Sequence, residues 1–105
     1  MNIEIKTAGV DLTPALREYV EMKIGSLDKF LRRWELEGEI EAAVQLERTT
    51  RHHHKGNVFR AEINMPLPGK LLRAEAYHRD IRMALDDVKN TIKAEIQRYK
   101  EREQT

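Results

Sequence analysis

The stretch Arg48-Thr49-Thr50-Arg51-His52-His53-His54-Lys55-Gly56-Asn57-Val58-Phe59-Arg60 holds three consecutive histidines and four Arg/Lys residues, with no acid. Those residue types could ligate a metal, shuttle a proton or meet an anion. Metal binding finds little support, and catalysis less. Neighbouring residues of an extended chain point to opposite sides, so at most His52 and His54 share a ligand. Two imidazoles with no carboxylate or thiolate beside them rarely make a specific site, so no metal is expected. Catalysis finds no constellation either. Ser26 is the only serine and has no base near it in sequence. Asp86 and Asp87 are adjacent on a helical pattern and so diverge by about 100°. Gly56 and Gly69 stand alone, without the glycine-rich spacing of a phosphate loop. No catalytic residue, no enzyme activity and no cofactor are expected. The histidines instead read as a basic hairpin tip, with Lys55-Gly56-Asn57 supplying the turn.

The strands on either side support that reading. Ile40, Ala42, Val44 and Leu46 alternate with Glu39, Glu41, Gln45 and Glu47. Phe59, Ala61, Ile63 and Met65 alternate with Arg60, Glu62 and Asn64. This period of two marks half-buried strands. Residues 2–8 alternate in the same way around Ile3 and Ile5, and Leu72, Ala74 and Ala76 define a last strand. Pro66-Leu67-Pro68-Gly69 is expected to turn between the third and fourth strands.

Two segments carry helical periodicity. Thr13 is a good N-cap and Pro14 suits the first helical position. The helix that follows is expected to run to about Arg32, with the stripe Leu16, Tyr19, Val20, Ile24, Leu27, Phe30 and Leu31. Asp80 caps a second helix, expected to reach about residue 101, with the stripe Ile81, Ala84, Leu85, Val88, Ile92, Ile96 and Tyr99. The order β-α-β-β-β-α predicts an α+β domain. Its first two strands should be parallel through a right-handed crossover. Both helices should pack on one face of a four-stranded mixed sheet. Residues 1–101 form one expected domain, and 102–105 a frayed tail.

At 105 residues the chain suits a single core, and 40% of it is apolar. It has no cysteine and no apolar run of membrane-spanning length. The N-terminus shows no secretory pattern. The net charge of +1 conceals segregation. Residues 35–47 carry Glu35, Glu37, Glu39, Glu41 and Glu47 and no base, whereas residues 89–102 carry Lys89, Lys93, Arg98, Lys100 and Arg102 against Glu95 and Glu101. Winding the helices at about 100° per residue sorts these charges. Lys23, Lys29 and Arg33 fall along one edge of the first apolar stripe, with Arg17 and Arg32 on the outer side. Arg82, Lys89, Lys93 and Lys100 form a ridge on one flank of the second helix, with Arg98 on the other. The open sheet face is mixed to acidic and nearly free of aromatics, which disfavours a base-stacking platform. A basic helical side suits structured RNA held by its phosphates.

Several stretches resemble one family. Thr13-Pro14-Ala15-Leu16-Arg17-Glu18-Tyr19-Val20 is similar to the opening of the ribosome hibernation-promoting factors, also called ribosome-associated inhibitor A or protein Y. His54-Lys55-Gly56, Phe59-Arg60-Ala61-Glu62-Ile63-Asn64, Leu67-Pro68-Gly69-Lys70 and Leu72-Arg73-Ala74-Glu75-Ala76 resemble its core, in order and across the whole chain. The resemblance implies a fold related to double-stranded-RNA-binding domains. It also implies a cytoplasmic translation silencer that occupies the mRNA and A- and P-site tRNA channel of the small ribosomal subunit. Long members add a C-terminal dimerisation domain, so this chain reads as a short form or an N-terminal domain. A monomer is expected, with the small subunit and its rRNA as partner and neither a membrane nor a small-molecule substrate.

Carried over, Arg17, Lys23, Arg98 and Lys100 match the family's basic contact positions. The winding adds Lys29, Arg33, Arg82, Lys89 and Lys93, and the hairpin tip adds Arg51, His54 and Lys55. The chain departs from the family where Ser26, Thr91 and Ala94 replace expected bases. A protein-interaction domain using the acidic sheet face, or a generic structured-RNA binder, are the other readings of the same residues.

Overall fold

The computed structural model describes residues 1–49 and 58–103. The elements are β1 (Asn2–Ala8), α1 (Pro14–Gly25), a 3-10 turn (Asp28–Phe30), α2 (Arg32–Glu35), β2 (Glu41–Arg48), β3 (Phe59–Leu67), β4 (Lys70–His78) and α3 (Ile81–Glu103). They build an α+β fold around one four-stranded sheet ordered β1-β2-β3-β4. β1 and β2 are parallel, and the other two pairs are antiparallel.

The alternating apolar residues meet across the strands. Ile5 lies opposite Val44, Val44 opposite Ile63, and Ile63 opposite Ala74. This row faces the helices. Val20 and Ile24 of α1 and Leu85, Val88, Ile92 and Ile96 of α3 are buried against it in one core. α1 begins as its sequence dictates. Thr13 is extended, its hydroxyl accepts from the Leu16 N–H at 3.1 Å, and Pro14 takes the first turn. Asp80 opens α3 by accepting from the Arg82 N–H at 2.8 Å.

The first helix does not continue to Arg32. It ends at Gly25, where helix propensity is poor. The Ser26 hydroxyl donates to the Lys23 carbonyl at 2.6 Å, and the Leu27 N–H turns to the Ile24 carbonyl at 3.0 Å, the tighter bond of a 3-10 turn. The 3-10 turn and the four-residue α2 follow. Leu27 and Leu31 stay fully buried through this change of direction. The break also brings Trp34 into the core at 5% exposure, where its ring stacks on Tyr99 with centroids 5.4 Å apart. The β3–β4 turn is tighter than expected, because Pro66 and Leu67 pair with Leu71 and Lys70 as part of β3. Proline is tolerated there because β2 pairs with β3 only as far as Asn64, so that side of Pro66 has no ladder to supply. Pro68 and Gly69 make the turn, Gly69 at a φ of +80°. The Tyr99 hydroxyl donates to the Pro68 carbonyl, tying the end of α3 to this turn.

On the opposite, open face of the sheet, Glu62 is a buried carboxylate. Its Oε2 accepts from Arg73 at 2.6 Å and from Arg60 at 2.7 Å, while Asn64 donates to Oε1 at 3.2 Å. Arg60 also reaches Glu75 and Glu47. Burial alone would raise the Glu62 pKa; the hydrogen bonds and charges of Arg73 and Arg60 outweigh it and hold the group below its ordinary 4.5. A depressed pKa stabilises the fold fully above the unfolded value, and that contribution is lost as pH falls through the folded one. Glu62→Gln is therefore expected to be less stable than the parent near neutrality, with the gap closing as the solution is acidified below 4.5. Urea midpoints measured from about pH 6 to about pH 3 check this, and parallel curves would contradict it.

A cationic seam between the helices

α1 and α3 lie side by side and run in the same direction. Tyr19 meets the start of α3 through Asp86, Phe30 lies by Lys93 and Lys100, and Trp34 lies by Tyr99 and Lys100. The line Tyr19–Phe30–Trp34 is thus an aromatic floor between the helices. Amphipathic periodicity puts these rings at the edge of the core; the break after Gly25 brings the latter two alongside α3.

Cations lie over each ring. Lys23 Nζ is 5.5 Å and the Arg82 guanidinium carbon 4.8 Å from the Tyr19 centroid. Lys29, Lys93 and Lys100 stand 5.3, 5.2 and 5.7 Å from the Phe30 centroid. Arg33 lies 5.0 Å from Trp34, which Lys100 also approaches at 5.9 Å. At these separations the ring faces attract the charges and hold their stems against apolar surface, with the charged heads toward solvent. Lys89 is half-buried on the same line of α3, between Arg82 and Lys93. From Arg82 to Lys100 the row extends about 27 Å at about 1.5 Å per residue.

The structure therefore brings together Lys23, Lys29, Arg33, Arg82, Lys89, Lys93 and Lys100 and leaves two expected residues outside the seam. Arg17 is exposed on α1, with Glu21 at 3.9 Å. Arg98 lies on the other flank of α3, bonded to Glu95 at 2.7 Å. Arg51, His54 and Lys55 fall outside the described residues. The aromatic floor itself was missed, because Tyr19 and Phe30 read as core stripe and Trp34 lay beyond the expected helix end. Asp86 was missed as well. Its Oδ1 accepts from the Tyr19 hydroxyl at 2.7 Å and lies 3.6 Å from Lys23 Nζ. Burial and this hydrogen bond push the Tyr19 phenol up to about 12, so it stays a donor at neutral pH. The helical wheel carried a signal for Asp86, which lies only about 40° from the Arg82 line.

The opposite face differs in sign. Glu4, Glu41, Glu47, Glu62 and Glu75 share the open sheet with Lys6, Arg60 and Arg73, and both arginines are engaged by carboxylates. The Cα body measures 45 × 28 × 17 Å; of its two broad faces the helical one carries the cationic seam, and the sheet carries more carboxylates than bases. Such an arrangement can hold a run of phosphates on one side only.

Fold and seam together define a small α+β domain with a cationic helical face. The chain belongs to the Sigma 54 modulation protein / S30EA ribosomal protein family, whose model matches residues 3–104. It is 29% identical over 100 residues to the ribosome hibernation promotion factor of Deinococcus radiodurans, covering 94% of this chain and 49% of that one. To the factor of the same name from Lactococcus lactis it is 32% identical over 102 residues, covering 97% and 51%. The chain thus spans about half the length of these curated relatives. Among solved structures, the N-terminal domain of Thermus thermophilus protein Y superposes with a TM-score of 0.73 at 32% identity, covering 94% of this chain and 99% of that one. A ribosomal subunit interface protein from Coxiella burnetii shares the fold, with a TM-score of 0.71 at 24% identity over 95% and 98% of the two chains.

Proposed function

We propose that this protein is a cytoplasmic hibernation factor. It binds the small ribosomal subunit through rRNA phosphates and occupies the channel that otherwise holds mRNA and the A- and P-site tRNAs. It acts as a single, monomeric domain within residues 1–101 and by steric occlusion, without catalysis. The observation that carries this reading is the row of six cations over the Tyr19–Phe30–Trp34 floor, from Lys23 and Arg82 at one end to Arg33 and Lys100 at the other, with Lys89 on the same line of α3. A thin body, 17 Å through its narrowest Cα extent, suits insertion into a cleft between RNA elements. Phosphate contacts position a protein on RNA without reading its bases, which fits a blocker better than a sequence-specific regulator. Arg17 and Arg98 add contacts at the margins, and Arg51, His54 and Lys55, in the sequence between β2 and β3, add others.

Co-sedimentation with purified small subunits tests this. Binding is expected to weaken with salt at a log–log slope of about −3 to −6, as counterions are released from several phosphates. Bound protein is expected to exclude tRNA from the subunit. Undiminished tRNA binding at low salt would overturn the occlusion mechanism, and a flat salt dependence would move the contact away from the seam.

A further inference from the structure

Asp86 is a negative charge set inside a positive row. On α3 it lies among Arg82, Lys89 and Lys93, and across the seam it faces Tyr19 and Lys23 of α1. One oxygen, Oδ1, serves both neighbours, at 2.7 Å from the Tyr19 hydroxyl and 3.6 Å from Lys23 Nζ. The Tyr19 bond explains an acceptor at this position, but not a charge. An asparagine would take the same phenolic proton and leave the cationic field undiminished. What the charge adds is a partner for Lys23. The side chains of Asp86 and Lys23 are 36% and 33% exposed, so the pair sits at the mouth of the seam rather than beneath it.

We propose that Asp86 limits the affinity of the seam for RNA: its carboxylate competes with an RNA phosphate for Lys23 and repels the backbone beside it. The inference rests on the RNA-binding reading above. A phosphate approaching this end of the seam must displace Asp86 from the Lys23 ammonium, whereas Lys29 and Lys93 meet it over Phe30. The face is therefore graded, gripping firmly at the Phe30 end and weakly at the Tyr19 end. Such a built-in competitor favours release from the target over ever tighter binding.

The test is a double-mutant cycle read by binding to purified small subunits. Asp86→Asn keeps the acceptor for Tyr19 and is expected to bind about three- to tenfold more tightly at about 0.1 M salt, the range of one exposed ion pair plus relieved repulsion. Its salt slope should steepen by up to about one unit, which a change in packing alone would not produce. Asp87→Asn makes the same formal charge change about 100° round the helix and should gain less than about twofold. In a Lys23→Gln background the gain from Asp86→Asn should shrink to the part supplied by relieved repulsion, less than about twofold. Asp86→Ser serves as a second neutral acceptor if the amide disturbs packing, with the same gain expected, and thermal melts confirm folding. Equal gains from the two asparagine variants, or a gain undiminished by Lys23→Gln, would overturn the inference alone. Failure of the unmodified protein to bind subunits would overturn the RNA-binding reading and this inference with it.

Discussion

Reversing charge at Lys29 and Lys93 together will weaken small-subunit binding on the order of 100-fold at physiological salt, at roughly 1–2 kcal/mol per lost charge-assisted contact. These two ammonium groups stand over one ring, 5.3 and 5.2 Å from the Phe30 centroid, one from each side of the seam. Phe30 is half-buried and fixes where both stems lie, so a phosphate meets two oriented donors rather than two mobile ones. The salt slope of Lys29→Glu/Lys93→Glu should also flatten by about two units. Lys6→Glu is the control. Its side chain is 78% exposed on β1, on the opposite side of the sheet, and its affinity should change little. A free-energy loss from Lys6→Glu of about half that of the paired variant, in proportion to its charge change, would mean that net charge, not the seam, governs binding.

Trp34→Ala will cost about 3–5 kcal/mol of folding stability, the range for removing a large buried aromatic. Trp34 is 5% exposed and stacks on Tyr99, whose hydroxyl in turn holds the β3–β4 turn at Pro68. Truncation opens a void at the point where α2, α3 and the turn meet. Arg33 and Lys100 also lose the ring beneath them. The midpoint temperature should fall on the order of 15 °C for a domain of this size. Far-UV circular dichroism is the appropriate probe, because Trp34 is the only tryptophan and the variant has no indole fluorescence to follow. A loss below about 1.5 kcal/mol would show that the packing collapses into the space or that α2 is dispensable.

Much of this was legible along the chain because the two periodicities are clean. Ile3 and Ile5, Val44 and Leu46, and Ile63 and Met65 all alternate with polar residues, and each proved to face the helices. The ridge Arg82–Lys89–Lys93–Lys100 followed from winding one uninterrupted helix, and it lies where the winding put it. The first helix was less legible. Its stripe runs on through Leu27 and Leu31, so periodicity continued past the point where Gly25 and Ser26 end the hydrogen-bonded turns. The helix gives way to a 3-10 turn at Leu27, whose N–H bonds to the Ile24 carbonyl, while burial of the same leucines is kept.

Taken alone, the order of residues determined which elements form, which side of each is apolar and which carries positive charge. Those properties depend on neighbours within a few positions, and the chain's own periodicity supplies them. Tertiary structure alone decided which charges meet. Whether Lys23 lies by Asp86, whether Glu62 is enclosed by Arg60 and Arg73, and whether Lys29 and Lys93 share Phe30 depend on how separate elements pack. Lys23 and Asp86, Arg73 and Glu62, and Lys93 and Phe30 each lie on separate elements, and the strength of such pairings turns on burial and distance, which only the assembled fold defines.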